Sequence, residues 1–115
     1  YILITSKLRN KLEKQLHSHD GTIYLLYGRV MRKFEQFDLA MKYFRKGSNQ
    51  GNNEAMYEYG KMMYRGEGCE KNLEEANAYF DLAKKNGNYK AYEFIFKQQK
   101  EEERRRRRLA ALNKQ

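Results

Sequence analysis

The chain contains no proline and no tryptophan, one cysteine and two histidines among its 115 residues. Without proline nothing forces a helix to kink or stop, and helix formers are spread throughout, so continuous helices are favoured over sheets. A single cysteine, Cys69, excludes an intrachain disulfide and a paired-cysteine zinc site. A reducing, cytoplasmic setting is the expected one. His17 and His19 stand two apart on an expected helix, so their side chains diverge and cannot grip one metal ion from one face. Apolar stretches are short. Ile23 to Tyr27 is among the longest, far below the roughly 20 residues that cross a bilayer, and no membrane span is expected. The first residue is Tyr1 rather than methionine, and the chain is expected to be a piece of a longer protein.

What is abundant is charge and tyrosine. The formal charge of +9 is unevenly placed: residues 55–91 carry six basic and six acidic side chains, whereas 92–115 carry eight and four. Attraction to an acidic partner therefore belongs to the flanks, above all the C-terminal one.

Along the chain, helical spacing and turn chemistry alternate. Ile4, Leu8, Leu12 and Leu16 lie four apart and predict an N-terminal packing helix over residues 1–20. Asp20-Gly21 breaks it, and Asp20 or Thr22 suits the cap of a second helix. There Ile23, Leu26, Tyr27, Val30, Met31 and Phe34 recur on one side. After a turn near Glu35, a third helix buries Leu39, Ala40, Tyr43, Phe44 and Gly47 and ends at Gly51. Asn53 is the expected cap of a fourth helix, which the run Gly66-Glu67-Gly68 stops. Asn72 is the expected cap of a fifth, with Leu73, Ala76, Phe80 and Ala83 as its core stripe and Gly87 at its end. Asn88 starts a last helix through Tyr92, Ile95 and Phe96 into the charged tail.

Four matches then organise the whole. Ala40 and Ala76, Phe44 and Phe80, Gly51 and Gly87, and Ala55 and Ala91 are each separated by thirty-six positions, the length of one helical hairpin. The pattern Ala55, Tyr59, Gly60, Tyr64, Gly66, Gly68, Ala76, Tyr79, Phe80, Ala83, Gly87, Ala91 resembles the Sel1-like repeat, a relative of the tetratricopeptide repeat. Gly60 in mid-helix costs about 1 kcal/mol against alanine, which implies that a neighbouring helix comes close there, with small Ala76 and Ala83 supplying the room. The preceding unit keeps Tyr27-Gly28, Ala40, Tyr43 and Phe44 but has four fewer loop residues, so residues 21–52 read as a degenerate unit and 53–88 as the full one. At the third copy Phe96 replaces the glycine, and 89–115 reads as a capping helix running into the Glu/Arg tail. The resemblance implies an all-α fold of stacked hairpins, a short right-handed superhelix.

No nucleophile motif or paired ligand set is present, and Gly66-Glu67-Gly68 has neither the preceding strand nor the lysine of a phosphate loop. No catalytic residue is assigned and no cofactor is expected. Tyr27, Tyr43, Tyr59 and Tyr79 occupy repeat-matched packing positions, whereas Tyr24, Tyr57 and Tyr64 are less constrained and are candidates for reaching a partner. Arg104, Arg105, Arg106, Arg107 and Arg108 follow Glu101, Glu102 and Glu103 and predict i,i+4 pairs along an isolated helix. The resemblance implies an adaptor that holds a protein or peptide. The alternative is a subunit of a nucleic-acid-containing assembly whose arginines neutralise phosphates or another polyanion.

Overall fold

A computed structural model describes residues 6–10 and 20–114. These residues are helical with no strand among them. Five bounded helices follow one another: α1 (Thr22–Lys33), α2 (Phe37–Asn49), α3 (Asn53–Arg65), α4 (Leu73–Lys85) and α5 (Lys90–Asn113). α1 packs on α2 and α3 on α4 as two hairpins, and α2 packs on α3 to stack them. The thinnest dimension is 18 Å, the depth of two helix layers about 10 Å thick. The predicted N-terminal stripe of Ile4, Leu12 and Leu16, and both histidines, lie outside the described residues. Leu8 is within them, on a helical run, and is exposed.

Each hairpin closes on a glycine. A Cβ on Gly28 would stand 2.6 Å from the ring of Phe44, and one on Gly60 would stand 2.6 Å from the ring of Phe80. Of the two small residues expected to supply the close approach at Gly60, Ala76 does so with its backbone, while Phe80 stands nearest in place of Ala83. The aromatic ring of the second helix lies over bare backbone of the first, with the Ala76 carbonyl next nearest at 3.2 Å. The tyrosine pairs repeat in the same way, with Tyr27 edge-on to Tyr43 at 4.7 Å between centroids and Tyr59 tilted against Tyr79 at 4.6 Å.

The turns into the first helix of each unit also repeat. The side-chain oxygens of Asp20, Asn52 and Asn88 accept from the backbone N–H groups of Thr22 (3.1 Å), Ala55 (2.8 Å) and Lys90 (3.0 Å). Asn52, not the expected Asn53, is therefore the cap of α3. Asn53 is already helical, and its amide donates to the Asn86 carbonyl at 2.7 Å, tying α3 to the end of α4. Asn72 caps α4 as expected, accepting from Glu75 N–H at 3.0 Å.

Three apolar positions expected in the core of α1 are on its surface. Leu26, Val30 and Phe34 are exposed, and Leu25, Gly28 and Met31 join Tyr27 inside. α1 is apolar around much of its girth, so periodicity leaves its buried face ambiguous by one residue. Leu73, the first residue of α4, is likewise exposed.

The shorter turn of the first unit carries the one positive φ among the described non-glycine residues, at Glu35 (60°). The left-handed conformation costs an ordinary residue about 1–2 kcal/mol, and glycine avoids that cost while losing part of the gain through its freer unfolded chain. Glu35→Gly is expected to stabilise the protein by about 0.5–1 kcal/mol, seen as a raised urea midpoint with unchanged slope.

Candidate functional site: the shared face of α1, α3 and α5

Ion pairs link the first helices of the successive units along one face, α1 to α3 and α3 to α5, beside the aromatic packing of Phe94 on α3. At the centre of this face is Glu58 on α3, a carboxylate only 5% exposed. Lys61 meets it at 2.7 Å from one turn along, while Arg29 and Arg32 reach across from α1 to 3.8 Å. Burying a carboxylate costs several kcal/mol unless cations surround it, and here three do. Glu54, one turn before, takes Arg29 at 3.2 Å and also the ammonium of Lys90 from α5. Glu67 in the loop takes Arg32 at 3.6 Å and Arg65 at 4.0 Å. The lattice ties α1, α3 and α5 together while leaving cations at its rim.

Clefts open along this lattice. One of about 510 Å³ is lined by Arg29, Arg32, Lys33, Glu35, Phe37, Glu58 and Glu67. Another of about 460 Å³ lies between α3 and α5, lined among others by Tyr57, Lys61, Arg65, Lys97 and Glu101. Both join apolar surface to charged walls, an arrangement that seats side chains of a bound segment and fixes their direction.

The structure divides the three candidate tyrosines. Tyr57 and Tyr64 flank the ring of Phe94, at 6.4 and 5.3 Å between centroids, and so anchor α5 while also lining the clefts. Burial, with Glu58 next in effect, holds the Tyr57 phenol above its usual range, so it stays a neutral donor at physiological pH. Tyr24 lies apart from them, stacked on Tyr43 at 6.1 Å between α1 and α2.

The arginine run continues α5 as an unbroken helix. Arg107 pairs with Glu103 at 2.7 Å and Arg106 with Glu102 at 3.8 Å, as the i,i+4 spacing predicts, but Arg105 turns to Glu102 at 2.7 Å rather than to Glu101. Arg104, Arg105 and Arg108 share a cleft of about 560 Å³ with Arg65 and Lys71, so part of the tail adjoins the repeat. The Glu58 cluster is not legible in the sequence. Its two arginines sit on a different helix, and a glutamate followed three positions later by lysine looks like any solvated pair.

No group of acidic, histidine and cysteine side chains among the described residues could hold a metal ion, and no helix among them is long and apolar enough to cross a membrane. Burial pushes the Cys69 thiol up, with Glu75 adding to the effect, which disfavours the thiolate that a nucleophile needs.

The family model of the Sel1 repeat matches twice, at residues 21–52 and 53–88. No curated protein and no solved structure matches the chain.

Proposed function

The chain belongs to the Sel1 repeat family, whose repeats mediate protein–protein interaction, and from that premise we propose that it is a non-catalytic adaptor. It holds a protein or peptide segment on the face shared by α1, α3 and α5. The observation that supports this reading is the Glu58 lattice. A buried carboxylate with three cations fixes the walls of the clefts before any partner arrives, so little side-chain ordering remains to oppose binding. The clefts offer half-buried rings at Tyr57 and Tyr64 for apolar groups, and Arg65 and Lys97 for polar ones.

The test is site-specific photocrosslinking in the full chain. A benzophenone amino acid in place of Lys97, which lines the cleft and is exposed, is expected to trap a discrete partner. The same group in place of Lys42, exposed on α2, is expected to trap none. Charge reversal at Arg65 should abolish the Lys97 adduct. Equal labelling from both positions would remove the shared face as the binding site.

A second reading rests on the clustering of Arg104, Arg105 and Arg108 with Arg65 and Lys71. Guanidinium groups gathered along one helix suit phosphates. If they bind RNA, replacing Arg104–Arg108 with glutamine is expected to flatten the salt dependence of binding by roughly 0.7 in log–log slope for each phosphate no longer neutralised. Affinity measured across a salt series checks this. An unchanged slope assigns the arginines to solvation of the helix.

A further inference from the structure

Repeat register makes one face of α5 equivalent to a face buried in both complete units. Tyr24, Gly28 and Met31 of α1 correspond to Met56, Gly60 and Met63 of α3 and to Tyr92, Phe96 and Gln99 of α5. In α1 and α3 the second helix of the hairpin covers these positions, with Met31 and Met63 buried and a phenylalanine ring seated on each glycine. In α5 the same positions are bare: Tyr92 is 56% exposed and Phe96 59%, and Tyr89 at the start of the same side is 61% exposed.

Among the described residues, no second helix of this unit folds back onto them. The reversal at Gly66 and Gly68, both at φ 77°, corresponds thirty-six positions on to Glu102 and Arg104. There α5 runs straight through on its Glu–Arg pairs to Asn113. The chain has replaced a turn by helix at the point where the hairpin would close. A row of aromatic side chains is left without the cover that its homologous rows possess.

The seat is also inverted. In the complete units the first helix offers a hollow and the second inserts a ring. At Phe96 the first helix offers the ring, so a helix built like α4, with phenylalanine at that level, would collide with it. Only a helix with a small residue there can approach as closely. The rim is basic. The ammonium of Lys84 lies 5.3 Å from the Tyr92 ring centroid and that of Lys100 5.2 Å from Phe96, while nearby Glu103 is already paired with Arg107. A net charge of +9 disfavours a second copy of this chain as the occupant.

We propose that the outer face of α5, centred on Phe96, is a docking site for an acidic amphipathic helix of a partner protein, one presenting alanine or glycine where Phe44 and Phe80 stand in the complete units. Tyr92 and Phe96 line none of the clefts described above, so the centre of this site is separate from them. The module therefore has two contact surfaces. The partner helix takes the place on α5 that the second helix holds in each complete unit.

The test uses synthetic helical peptides of about 18 residues, five turns, titrated into the isotope-labelled full chain and followed by NMR. One carries a leucine stripe with a central alanine and glutamate flanks. A second has phenylalanine at the centre, and a third has lysine flanks. The alanine–glutamate peptide is expected to bind about tenfold or more tightly than either of the others, with shifts concentrated at Tyr89, Tyr92 and Phe96. Phe96→Gly, which rebuilds the hollow of Gly60, should reverse the alanine–phenylalanine preference. Phe96→Ala, at an exposed position that leaves the fold intact, should weaken binding to all three.

Indifference to the central residue, shifts elsewhere, or an unreversed preference in Phe96→Gly would overturn the proposal. So would sedimentation showing a dimer of the free chain that Phe96→Ala dissociates, because the occupant would then be a second copy. Charge reversal at Arg65 is expected to leave the peptide titration unchanged, which separates this surface from the cleft adaptor.

Discussion

Gly60→Ala is expected to destabilise the protein by about 2 kcal/mol, although the same change in an exposed helix would stabilise it by about 1 kcal/mol. The added methyl would sit 2.6 and 2.7 Å from two carbons of the Phe80 ring, with the Ala76 carbonyl at 3.2 Å. Relief requires the ring or the whole of α4 to move. The ring is enclosed by Tyr57, Tyr64 and Phe94 at 5.9 to 6.3 Å between centroids, and α4 is held at its ends by the Asn72 cap and the Asn53–Asn86 bond. Overpacking of this kind costs about 1–3 kcal/mol, occasionally more. For a chain of this length each kcal/mol lowers the melting midpoint by roughly 4–8 °C. A loss on the order of 10 °C by calorimetry is the expected reading.

Two controls fix the cause. Gly28→Ala meets Phe44 at the same 2.6 Å and should show a comparable loss. In the Gly60→Ala background, Phe80→Leu should cost less than it does alone, because a smaller side chain relieves the clash; the coupling is expected to exceed about 0.5 kcal/mol in magnitude, as for residues in contact. A melting midpoint unchanged in Gly60→Ala would mean that the helices are not in close approach there.

The sequence carried much of this architecture because its punctuation is local. Gly51, Gly66, Gly68 and Gly87 all have positive φ, and each stands where a helix must end or a turn reverse. Asn72 and the two-glycine turn need no knowledge of distant residues. What occupies a hollow is different. That Gly60 marks a close approach is legible from its mid-helix position, but the ring that fills it lies twenty residues on, and only packing shows that Phe80 rather than Ala83 is the neighbour.

The candidate site was less legible for a related reason. Glu58 reads as a surface charge beside Lys61 until Arg29 and Arg32 arrive from another hairpin and enclose it. Phe96 was legible as a break in the repeat, and its bulk pointed to an end of the stack. Which side of α5 meets the stack was not, because aromatic residues occupy both: Phe94 turns inward with Ala91, and Phe96 turns outward.

Phe80→Ala is the substitution expected to cost most, about 3–5 kcal/mol, and its effect should spread beyond its own hairpin. Phe80 is 4% exposed and joins three helices at once. Its ring covers Gly60, meets Tyr57 and Tyr64 of α3, and packs edge-on to Phe94 of α5 at 5.9 Å. Removing it empties the seam between α3 and α4 and takes away part of the aromatic seat of α5. Against a typical total stability of about 5–15 kcal/mol, such a loss leaves a measurable unfolded population at ordinary temperature. Native-state hydrogen exchange should separate the two consequences. Amides of α3 and α4 are expected to lose protection with global stability, and those near Ala91 and Phe94 should lose more, because α5 joins the stack mainly through Phe94 and its neighbours. Chymotrypsin should then cut at Phe94 in the variant under conditions that spare the unaltered chain. If α5 keeps its protection in Phe80→Ala, it is held by the ion pair between Lys90 and Glu54 and by the Asn88 turn rather than by the aromatic cluster.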